Sequence, residues 1–130
     1  MKKTCFSLAA LALAACAVLP ASAQQAVAVP SGPGVSMLVL DASGSMWGQI
    51  KGRAKIEIAR EAVGSMLKTW PRNQQLGLMA YGHRSKGNCA DIEVLKAPAV
   101  ADAAAMQQAV NALQPKGMTP ISASVRMAAE

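Results

Sequence analysis

Asp41, Ser43 and Ser45 stand at two-residue steps directly after the apolar run Leu38-Val39-Leu40. Together they offer three hard oxygens from one short turn, with Gly44 letting the backbone bend between the serines. Such oxygens at a strand end suit Mg²⁺, Mn²⁺ or Ca²⁺ rather than zinc or copper. Each residue also has a purely structural use. Asp41 can close an Asx-turn, and Ser43 or Ser45 can cap a following helix. Further on, Thr119 before Pro120 has the form of a helix N-cap with proline at the first helical position. Three oxygens at this spacing after a strand, followed later by Gly117-Met118-Thr119-Pro120, exceed what capping alone requires.

These residues need a frame. Ser36 to Leu40 is a short continuous apolar run, as in a strand buried on both faces. Ala54 to Trp70 reads as a helix, with Ile56, Ala59, Val63, Met66, Leu67 and Trp70 on one stripe and Pro71 as its stop. Gln75 to Tyr81 reads as a second strand and Ile92 to Leu95 as a third. The polar segment Gly82 to Asn88 between them predicts an antiparallel hairpin at a sheet edge. Ala99 to Leu113 predicts a second helix, with Met106, Ala109, Val110 and Leu113 on its apolar side. Thr119-Pro120 opens a third, with Ile121, Val125, Ala128 and Ala129 at helical spacing. That pattern is still running at Glu130, so the expectation is the front part of a longer domain, poorly folded on its own because an open apolar sheet edge invites aggregation.

The chain has 130 residues, enough for one domain, and is 52% apolar with only 3% aromatic residues. Its 13 basic and 7 acidic residues form no basic block and have no aromatic interleaving. That distribution argues against a nucleic-acid footprint. Residues 1–23 read as a signal peptide: Lys2 and Lys3, an apolar stretch from Phe6 to Leu19, then Ala21-Ser22-Ala23 with cleavage after Ala23. Residues 24–35 read as a linker and 36–130 as the domain. The protein is therefore expected in the periplasm or outside the cell. A second choice is a lipid anchor at Cys16, since Leu13-Ala14-Ala15-Cys16 has a lipoprotein-box form. The apolar run is too short for a membrane span. Cleavage after Ala23 leaves Cys89 as the one cysteine.

Other chemistries fit less well. His83, Cys89 and Asp91 match no standard zinc spacing. A serine hydrolase built on Ser43 or Ser45 with His83 lacks the Gly-x-Ser-x-Gly elbow. There is no phosphate loop.

The stretch Asp41-Ala42-Ser43-Gly44-Ser45-Met46 resembles the metal-ion-dependent adhesion site of von Willebrand factor type A domains, and Gly117-Met118-Thr119-Pro120-Ile121 resembles that family's second metal loop. Leu78-Met79-Ala80-Tyr81-Gly82-His83-Arg84 with Cys89-Ala90-Asp91 is similar to exported bacterial members. The resemblance implies a doubly wound, Rossmann-like α/β fold, of which the first three strands and three helices are present, with the site at the carboxyl ends of the strands. It implies metal ligation by Asp41, Ser43, Ser45 and Thr119, with Mg²⁺, Mn²⁺ or Ca²⁺ as cofactor. No residue here fills the role of the family's third-loop aspartate. Neutral alcohol ligands leave a cation electrophilic, so the implied partner is a protein offering an acidic side chain. A non-enzymatic binding module follows. A metal-free scaffold that keeps the fold is the alternative, and a serine hydrolase is a more distant one. By the same resemblance, Cys89 would pair with a cysteine further along a longer chain.

Overall fold

The computed structural model describes residues 34–130. The expected signal peptide, the Cys16 alternative and nearly all of the linker lie outside the described residues.

β1 (Val35–Asp41) runs through the apolar stretch and ends on the first candidate ligand. It starts at Val35, the last residue assigned to the linker. A 3₁₀ turn (Gly44–Trp47) follows, so the bend expected at Gly44 is a tight helical turn. A small antiparallel pair, β2 (Gln49–Ile50) and β3 (Arg53–Ala54), leads into α1 (Lys55–Thr69). β4 (Gln75–Tyr81) lies parallel to β1, in register from Val35 opposite Gln75 to Asp41 opposite Tyr81. Parallel neighbours need a crossover, and α1 supplies it. β5 (Ile92–Val100) returns antiparallel to β4, giving the sheet order β1-β4-β5. Then come α2 (Ala103–Ala112) and α3 (Ile121–Ala129).

Two boundaries differ from the sequence reading by more than one residue. β5 continues to Val100 rather than stopping at Leu95, and α2 begins at Ala103 rather than Ala99. Pro98 is out of place in a strand interior, but among the described residues β5 is an edge strand, where a missing N–H breaks no ladder. The register also shifts between Leu76 and Leu78, and again between Leu78 and Met79, which accommodates the irregularity. The alanine-rich segment becomes helical only after Asp102, whose carboxylate accepts from the Ala105 N–H at 3.0 Å and so fixes the start.

The core follows from strand alternation. Leu40 and Ala42 from β1 and its exit, and Leu76, Leu78 and Ala80 from β4, pack with Val63 and Leu67 of α1 and Met106, Val110 and Leu113 of the α2 segment. No residue of α3 joins that cluster. α3 lies instead against β1 and β4, with Ser124 buried and its hydroxyl returned to the Pro120 carbonyl at 2.9 Å. Among the described residues β1 pairs with β4 alone, and Val35, Ile121, Val125 and Met127 are exposed. This is a mixed α/β sheet flanked by helices, consistent with part of a Rossmann-like fold. No helix among the described residues is long and apolar enough to cross a membrane.

Candidate metal centre

The strand register puts Asp41 and Tyr81 side by side at the carboxyl ends of β1 and β4. The Asp41 carboxylate turns onto its own loop, where Oδ1 accepts from the Ser43 N–H at 2.7 Å. This is the Asx-turn available to an aspartate at a strand end. It fixes the exit of β1 and places the Ser43 and Ser45 hydroxyl oxygens 3.0 Å apart. Ser43 is almost wholly buried, while Ser45 is exposed. Ser43 precedes the 3₁₀ turn without capping it through its side chain. Three of the four predicted ligands are thus joined by direct hydrogen bonds.

The fourth arrives through the backbone. Ser43 and Gly117 form a parallel bridge, and the Gly44 N–H donates to the Gly117 carbonyl at 2.9 Å. Thr119 lies two residues further along, exposed at the entrance to α3. Its hydroxyl does not cap that helix. Pro120 holds the N-cap position without a side-chain hydrogen bond, and the Thr119 carbonyl accepts from Ile121 N–H. The structural use foreseen for Thr119 is therefore not taken up.

Two glycines let the loops approach. Gly82, directly after β4, has φ +71, and a Cβ there would lie 2.5 Å from the Met118 carbonyl and 2.8 Å from Ser43 Cα. At Gly117 a Cβ would collide with the Ser85 carbonyl. The Gly82 carbonyl accepts from both Lys116 N–H, at 3.0 Å, and Gly117 N–H, at 2.7 Å. Further ties hold the loop from its other end. Trp47 Nε1 donates to the Pro115 carbonyl at 2.9 Å, and Arg60 donates to the Leu113 carbonyl at 2.7 Å. Sequence reasoning gave none of these three, Gly82, Trp47 or Arg60, a role at the site. Their contacts cross long stretches of chain and leave no local spacing signal.

The electrostatics around Asp41 bear on a cation. Among the described residues the ion pairs are Arg53–Glu61, Arg84–Asp91 and Arg84–Glu93, and His83 lies against Glu93, so no basic side chain neutralises Asp41. The Tyr81 phenol beside it is pushed up to about 12, first by burial and then by the neighbouring Asp41 carboxylate. A carboxylate without a cationic partner, two clustered hydroxyls and a nearby threonine loop form a hard-oxygen donor set that fits a small divalent cation.

The competing assignments fare differently. His83 Nε2 lies 2.9 Å from Glu93, and Asp91 is engaged by Arg84 and Ser85. Cys89 is exposed. No group of three His, Cys, Asp or Glu converges among the described residues, so the zinc set is not assembled. Neither Ser43 nor Ser45 is hydrogen-bonded to His83 among the described residues; each bonds the other.

A family model described as von Willebrand factor type A domain matches residues 36–130, well over half of the chain. No curated protein matches it.

Proposed function

The chain belongs to the von Willebrand factor type A domain family, a family of generally non-enzymatic protein-interaction modules, and on that premise we propose that this member binds its protein partner through a divalent cation. Asp41, Ser43, Ser45 and Thr119 would hold the ion, Mg²⁺ by preference, with Mn²⁺ or Ca²⁺ as substitutes. When bound, the cation supplies an electrophilic site for an acidic side chain of the partner, because three of its four protein ligands are uncharged. The chain's own residues do the rest. Asp41 fixes the loop through Ser43 N–H, Ser43 and Ser45 present their hydroxyls together, and the Gly117 bridge delivers the threonine loop.

The observation that carries this reading is the parallel bridge between Ser43 and Gly117. It joins two loops that are far apart in sequence, which supports a reading in which both contribute oxygens to one site. The N-terminal Lys2, Lys3, apolar stretch and Ala21-Ser22-Ala23 support an exported protein, periplasmic or secreted. The test is calorimetric titration of Mg²⁺ and Mn²⁺ into the wild-type chain and Asp41→Ala. Binding that vanishes in the variant supports the proposal. Equal heats favour a metal-free scaffold instead. Ester or peptide hydrolysis that disappears in Ser45→Ala would point to a hydrolase.

A further inference from the structure

We infer that Asp91, which is not among the candidate ligands, is a positioning residue that holds the Thr119 loop against the Ser43 loop. Its side chain is wholly buried, yet it is a carboxylate. A buried charge persists only when it is paired and hydrogen-bonded. Asp91 satisfies both conditions. Oδ2 accepts from the Arg84 and Ser85 N–H groups at 2.8 and 2.9 Å, and Oδ1 accepts from Arg84 Nε at 2.7 Å. The turn just after Gly82 is therefore folded around one carboxylate.

The consequence travels through two short connections. The Asp91 carbonyl accepts from Gly82 N–H at 2.9 Å, and the Gly82 carbonyl in turn takes the N–H groups of Lys116 and Gly117. The Ser85 carbonyl, held by the same turn, lies against Gly117 where no Cβ would fit. Gly117 then accepts from Gly44, between the two candidate serines. Asp91 thus orders the wall on which Gly117 rests, and Gly117 sets where Thr119 stands relative to Ser43. Arg84 is half-exposed and closes the turn from the solvent side.

The inference rests on the proposed function only for what the loop carries; the loop's order is tested without metal. Hydrogen exchange is measured by NMR on the wild-type chain, Asp91→Asn and Arg84→Ala, the last leaving both backbone hydrogen bonds to the Asp91 carboxylate in place should Asp91→Asn fail to fold. The expected result is protection lost by about tenfold or more at the Gly44 and Gly117 amides, with the β1–β4 ladder unchanged. Protection retained at those two amides, or lost equally across the ladder, overturns the assignment. The second arm titrates Mn²⁺. Asp91→Asn is expected to weaken binding about tenfold, as changes to residues that orient metal ligands do. In a Thr119→Ala background it should add nothing further, because it acts through that loop. An undiminished further loss in that background overturns the assignment. A wild-type chain that binds no Mn²⁺ removes the proposed function, and the exchange result alone then decides whether Asp91 positions the loop.

Discussion

Raising the pH on a metal-free sample tests the packing at the end of β1 and β4 directly. Tyr81 is the one tyrosine in the chain, so tyrosinate absorbance reports on it alone. Its ionisation is moved from 10.0 to about 12, with burial as the largest cause and the Asp41 carboxylate as the second. At roughly 1.4 kcal/mol per pH unit, this corresponds to about 3 kcal/mol between the neutral and ionised forms. The sign follows from proton linkage. The folded chain keeps the phenol proton where the unfolded chain has lost it, so this stabilisation is complete below about pH 10 and is lost as the pH rises toward 12. A stopped-flow pH jump in chelator reads the native value before any unfolding. Wild type should titrate near 12, and Asp41→Asn should fall only part of the way back, because burial remains. A wild-type midpoint at about 10 would refute the placement of the phenol in a buried pocket beside Asp41.

Other consequences can be measured. Burial alone would raise the Asp91 carboxyl, but the Arg84 side chain and the Ser85 and Arg84 amides outweigh it and hold it below the usual carboxylate range. Its contribution is therefore present at neutral pH and lost as the pH falls through the folded value. Arg84→Ala should move acid unfolding to higher pH, and an unchanged midpoint would contradict the pairing. Gly82→Ala combines a left-handed φ with a collision against the Met118 carbonyl. It should cost on the order of 1–3 kcal/mol in urea unfolding, and a neutral result would mean that the loops are not so closely apposed.

Much of the frame was legible because it is local. β4 runs from Gln75 to Tyr81 as its apolar run indicated, and α1 differs from expectation by one residue at each end. The antiparallel edge hairpin followed from two apolar runs around a polar segment. β5 and α2 were misjudged at their junction, where alanine suits a helix and Pro98 disfavours a strand, and where pairing with β4 decides the outcome. At the site, the Asp-x-Ser-x-Ser spacing was visible because three residues share one turn. Asp91 entered the sequence reading only through an unmatched zinc spacing and the Cys89-Ala90-Asp91 resemblance, with no structural role. Its partners Arg84 and Ser85 sit across a loop, and only the folded turn brings their amides onto one carboxylate. Trp47 and Arg60 reach Pro115 and Leu113 over still longer separations, which no periodicity encodes.

The most direct test of the account is Mn²⁺ binding, followed by electron paramagnetic resonance, in wild type and in Asp41→Ala, Ser43→Ala and Thr119→Ala. The account predicts a bound-ion signal in wild type that Asp41→Ala abolishes and that Ser43→Ala and Thr119→Ala each weaken. An identical signal in all four proteins, or none in the wild-type chain, would contradict it.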